Sequence, residues 1–187
     1  IQHNIPFLSA LMQHPRWREG ALSTGFIREE FPDGFKPIVP AGEDLKVLAA
    51  VAAAIDHVSN GRRRAITQQM DGRAVRFANH RVVMLGEVMQ KVHVEGDLGG
   101  PVKVTILDEA GQAQDVLELA SRWWPGDPVW SGLVRDHDAN IHVRPILNGY
   151  DLAYRGIHAP VRVYTHREAA LAALIERRIV RLEGQAA

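Results

Sequence analysis

The chain has 187 residues, 46% of them hydrophobic, which suits one good-sized domain with its own core. Its 22 basic and 22 acidic side chains cancel, so no long-range field draws it to nucleic acid or to an anionic membrane surface. It contains no cysteine, which excludes disulfides and thiolate metal sites.

The first residues, Ile1 to Phe7, lack the basic stretch, apolar run and cleavage site of a signal peptide, and no Met begins them. They predict a cytoplasmic protein that is an internal fragment or a processed product. From Pro6 to Met12 the apolar spacing predicts a short helix, with Pro6 accommodated in its first turn. His14-Pro15 stops it, because a residue before proline is pushed out of the helical region. Ser23-Thr24 can cap a second turn over 25–30, and Phe31-Pro32-Asp33-Gly34-Phe35 carries a turn signal. Pro37 and Pro40 make the following stretch an extended linker.

Residues Glu43 to Asn60 form the most distinctive segment. Glu43 and Asp44 complement a helix N-terminus. Asn60-Gly61 reads as a left-handed stop. Between them the apolar side chains point nearly all round, which marks a buried helix of roughly 27 Å, kept thin by its alanines. The charged residues near its ends argue against a membrane span.

Beyond Gly61 the pattern changes to short runs: 64–70, 76–86, 88–95, 102–107, 114–122, 128–135, 140–147, 150–155 and 159–164. Val102, Val104 and Ile106 alternate with Lys103 and Thr105, as expected of antiparallel strands with one wet face. Asn148-Gly149 is a two-residue hairpin signal, and 136–139 reads as a loop. Thr165-His166-Arg167-Glu168 is a capping box opening a last helix. Eight or nine strands at this spacing suggest a barrel or a sandwich. With the enclosed helix, the expected fold class is α+β, a long central α-helix surrounded by an antiparallel, roughly eight-stranded β-barrel. A short helical N-terminal segment precedes it and a C-terminal helix follows.

No residue set stands out as catalytic, cofactor-binding or metal-ligating. Asp136, His137, Asp138 and His142 form the densest polar cluster, and turn chemistry accounts for them. His14, His57, His93, His158 and His166 are scattered. Gly96-Asp97-Leu98-Gly99-Gly100 lacks the Lys-Ser/Thr of a phosphate loop and reads as a hairpin connection. Arg62, Arg63 and Arg64 complement the C-terminal end of the long helix and are also candidate partner contacts. Trp123, Trp124 and Trp130 flank Pro125-Gly126-Asp127; buried they would be core rim, exposed they would be an interface hot spot.

Several motifs carry a family resemblance. Asn4-Ile5-Pro6-Phe7-Leu8, His14-Pro15-Arg16-Trp17, Gly20 and Ser23-Thr24-Gly25-Phe26-Ile27 resemble the last segment of biotin carboxylase domains. Phe31-Pro32-Asp33-Gly34-Phe35 is similar to a motif of propionyl-CoA carboxylase α subunits. The likeness continues through Trp124-Pro125-Gly126-Asp127 to Val161-Arg162-Val163-Tyr164-Thr165-His166-Arg167-Glu168-Ala169. The resemblance implies that residues 1–40 are a carboxylase-domain tail and linker. It makes 41–178 a BT domain connecting α and β subunits, and 179–187 a linker towards a biotin carrier domain. The BT fold it implies is a long helix inside an eight-stranded antiparallel barrel.

The implied parent is an ATP- and biotin-dependent acyl-CoA carboxylase, with ATP and Mg bound outside this chain. Its implied partners are a carboxyltransferase β subunit and its own carboxylase and carrier domains. The biotin-bearing Ala-Met-Lys-Met motif is absent, and none of Lys36, Lys46, Lys91 or Lys103 has that context. The chain is thus expected to be a non-catalytic assembly module, with 1–35 poorly anchored without its carboxylase domain. The competing expectation is a free-standing barrel binding a small apolar or acyl ligand. The two differ in whether the helix fills the interior.

Overall fold

A computed structural model describes residues 4–35, 39–65, 78–97, 99–172 and 174. The N-terminal part holds three short helices, α1 (Ile5–Gln13), α2 (Pro15–Arg18) and α3 (Phe26–Glu30). His14 is extended between α1 and α2, the backbone a residue before proline prefers. The segment is tied internally by edge-on rings, Phe7–Phe31 at 5.3 Å and His14–Phe26 at 5.3 Å, and by Arg16 paired to Glu29 and Glu30.

This segment also seats on the body of the protein, contrary to the poor anchoring expected of it. Ala10 and Leu11 are buried, and α1 touches β7 (Gly149–Tyr154) and β8 (Ile157–Tyr164). At Gly156, where φ is +86°, an added Cβ would lie 2.7 Å from Ala10 Cβ, so the seat leaves no room for a side chain.

The long helix, α4, runs Gly42–Ala65, five residues past the predicted stop at Asn60. Asn60 does not terminate it because its side-chain amide donates to Asp56 Oδ2, one turn back, at 2.9 Å. Gly61 is buried and stays helical. The predicted strand at 64–70 is corrected in its first two residues, which close α4; the rest lies outside the described residues. From Leu48 to Ile55 every residue is only 0–3% exposed.

Eight antiparallel strands follow: β1 (His80–Leu85), β2 (Val88–Gly96), β3 (Val102–Leu107), β4 (Ala113–Ser121), β5 (Val129–Val134), β6 (His137–Ile146), β7 and β8. Each pairs with its neighbour, and β1 pairs with β8 from Val82↔Tyr164 to Leu85↔Val161, closing a ring. The alternation predicted for β3 is seen: Val102, Val104 and Ile106 join the core while Lys103 is exposed. The helix packs against β1, β2, β3, β4, β7 and β8 and shares one core with their inward side chains.

Two connections differ from the expectation. The β6–β7 turn is Leu147-Asn148, one residue early, with Asn148 at φ +60°. Gly149 instead begins β7, where an added Cβ would lie 2.2 Å from the Val161 carbonyl oxygen. The loop expected at 136–139 shrinks to Arg135-Asp136, so His137 and Asp138 already belong to β6. The capping box forms: Glu168 accepts from the Thr165 amide at 2.8 Å and donates its own amide to Thr165 Oγ1 at 3.3 Å. Helix continues from 166 to 172; the predicted tail beyond lies largely outside the described residues.

Candidate functional site

The basic and aromatic residues picked out by sequence meet at the rim where α4 ends. The Trp-Pro-Gly-Asp turn between β4 and β5 is held by three bonds to Asp127. Its carboxylate accepts the Trp124 amide at 2.9 Å, its own amide donates to the Trp124 carbonyl, and its carbonyl accepts the Trp123 indole N–H at 3.0 Å. These bonds turn Trp123 inward, where it is buried, and leave Trp124 46% exposed. Trp130 is enclosed at 3% and offers no surface.

Arg62, Arg63 and Arg64 are exposed in the last turn of α4. The Arg62 guanidinium lies 5.7 Å from the centre of the Trp124 ring, a cation–π contact across the rim. Arg63 donates to the amide oxygen of Asn60 at 3.3 Å. Beside them opens a cleft of about 520 Å³, walled by Trp123, Pro145 and Tyr150 and edged by Arg62, Arg63 and Arg144. The Ser59 and Tyr150 hydroxyls meet in its floor at 3.3 Å. Its volume falls within the ~300–1,000 Å³ typical of small-ligand sites.

Sequence reasoning missed a second polar feature. Arg81, buried, donates Nε to Asp56 Oδ2 at 3.0 Å and Nη1 to the His80 carbonyl at 3.0 Å and to the Ala78 carbonyl. It thereby fastens α4 to the start of β1. Burial pushes the Asp56 carboxyl above its ordinary value, and the bond from Arg81 only partly opposes this. The available signal was Asp56 itself, a carboxylate directly after the wholly apolar run of α4.

The histidines divide. His57 Nε2 bonds the Gly96 carbonyl at 2.8 Å. The His80 ring lies tilted to those of His93, at 4.5 Å, and His166, at 6.3 Å; burial and then these neighbours hold its imidazole below the usual value. Among the described residues no group of three or more His, Asp or Glu side chains is arranged to hold a metal ion. No helix among them is long and apolar enough to cross a membrane.

Residues 48–178, which take in most of α4 and the whole ring, match the model of the propionyl-coenzyme A carboxylase BT domain. The chain belongs to this BT domain family. Over 179 residues, 96% of its length, it is 34% identical to the propionyl-CoA carboxylase α chain of Ruegeria pomeroyi. It is also 30% identical over 79 residues, 42% of its length and 11% of the relative's, to the mitochondrial propionyl-CoA carboxylase α chain of Caenorhabditis briggsae. The BT chain spans about a quarter of the length of the bacterial relative, 25%. The family implied by the motifs at either end of the sequence is thus the one found.

Proposed function

We propose that this chain is the non-catalytic connecting part of the α subunit of a biotin-dependent propionyl-CoA carboxylase. In this reading its role is to hold that subunit against the carboxyltransferase β subunit. The observation that carries the proposal is the family match over 48–178, which coincides with a structural unit of one helix and one ring. In this reading carboxylase and biotin carrier domains flank it, and ATP, Mg and biotin are handled there; that the chain spans only 25% of the α-chain relative is compatible with such flanking domains. Among the described residues, the three lysines do not suit biotin attachment. Lys46 is paired to Glu43 and Asp115 at 2.8 Å each, Lys91 donates to the Glu109 carbonyl at 2.7 Å, and Lys103 sits mid-strand across from Glu95.

The competing ligand-binding barrel loses its premise, because α4 occupies the interior where such a ligand would lie. The test is coexpression of the 187-residue chain with the carboxyltransferase β subunit of the same organism. Copurification as a defined complex by size-exclusion chromatography with light scattering is the expected result. Two separate species at micromolar concentration would refute the assembly role.

A further inference from the structure

The cleft at the α4 rim has a composition that the family assignment does not explain. Among the described residues three guanidiniums edge it, while the one lining carboxylate, Asp127, is occupied by the Trp124 amide. The opposite rim is different, because its cations are internally matched. Arg135 pairs with Asp115 and Glu43, and Arg155 with Asp44. At the α4 end, Arg62 rests on an aromatic ring and Arg63 on the Asn60 amide, with the Asp56 carboxylate, already bonded to Arg81, near enough to feel its charge; among the described residues neither Arg62 nor Arg63 forms a salt bridge. Arg144 uses one edge of its fork on Asp151, and a guanidinium carries five donors. The rim therefore keeps donors suited to carboxylates, which guanidinium forks bind in bidentate fashion.

The apolar part is larger than the cleft. Leu147, at the tip of the β6–β7 turn beside the cleft residue Pro145, is 85% exposed, and Trp124 stands outside the walls. A small molecule filling the cleft would leave both in water. An extended chain would cover them.

The geometry points to this cleft as the docking site for an extended, acidic segment of a partner polypeptide, with apolar side chains entering between Trp123, Pro145 and Tyr150. Its carboxylates meet Arg62, Arg63 and Arg144. This names the surface and the chemistry of the partner; for the partner's identity it rests on the assembly reading above.

The experiment uses the full 187-residue chain and blocked peptides of alternating Glu and Leu, with Lys–Leu and Glu–Ser peptides as controls. The indole N–H signals are followed by NMR, with Trp17 in α2 as internal reference. The Glu–Leu peptide is expected to shift Trp123 and Trp124 and to bind more weakly as salt is raised. Affinity should fall at least tenfold in Arg62→Glu/Arg63→Glu and in Leu147→Ser. Both changes are at exposed positions, and unchanged indole spectra of the free variants confirm their fold. No shift at millimolar Glu–Leu peptide, or an equal shift with Lys–Leu, overturns the cleft inference and leaves the assembly reading standing. Peptide binding without β-subunit copurification does the reverse.

Discussion

Ala50, Ala53 and Ala54 set how closely the strands can approach the helix axis, and all three are buried. Replacing any one by Leu adds volume with no space to take it, which costs about 1–3 kcal/mol. Urea melts of the three single variants should each shift to lower denaturant; three unchanged midpoints would mean that the helix is not enclosed. Ala53→Asp should not fold, since nothing there pairs a buried charge. Arg81 is a different kind of position. Arg81→Met removes the partner of a carboxylate that burial already disfavours, and breaking such pairs costs about 3–5 kcal/mol, here towards the low end because Asp56 keeps 21% of its exposure. The sign with pH follows from the raised Asp56 value. The protonated form is the one the fold prefers, so stability is fully present below the unfolded value and is lost as pH rises through the folded one. The Arg81→Met deficit should therefore be largest at neutral pH and shrink in mild acid. A deficit independent of pH would show that Asp56 is not the group left uncompensated.

Elements are joined by contacts distant in sequence, and these respond differently. Asp115 on β4 accepts from Lys46 of α4 and from Arg135 after β5, and these bonds, that from Lys46 first, lower its carboxyl to about 2. A depressed acid contributes stability above its unfolded value, near 3.9, and loses it as pH falls towards 2. The gap between parent and Asp115→Asn in thermal melts should thus be present at pH 5 and nearly closed at pH 2; a constant gap would contradict the network. Gly156→Ala should loosen α1 from the ring, because φ is +86° and Ala10 stands in the way. Limited proteolysis would then cut between 13 and 42 sooner than in the parent, and equal rates would show that the seat at Gly156 is not needed. Most strand limits were legible in the sequence, because alternation is a local property of runs such as 102–107 or 159–164; the order in which the strands pair was not. The helix end was not, because Asn60 carries a stop signal and yet bonds Asp56. The hairpin was placed one residue late because Gly149 serves the Val161 carbonyl, which no local pattern reveals. Of the candidate site, the arginines and the Trp-Pro-Gly-Asp turn were visible. What stayed hidden was that two adjacent tryptophans face opposite ways, and that Arg144 and Leu147 join them from another hairpin.

For the whole chain, the expectation is that it neither hydrolyses ATP nor carboxylates biotin or propionyl-CoA by itself. Bicarbonate-dependent ADP release by the purified 187-residue protein would contradict this.

The closed ring has a consequence for how the molecule comes into being. The helix that fills it is made first, and the seam between β1 and β8 that shuts it cannot form until about 100 residues later. At ordinary rates of synthesis, about 5–20 residues per second, the apolar run of α4 from Leu48 to Ile55 waits roughly 5–20 s for its last wall. Until then β1 presents an unpaired edge and α4 an uncovered side. A premature stop before Ile157 would make that interval permanent, yielding a chain that the cell must treat as unfinished.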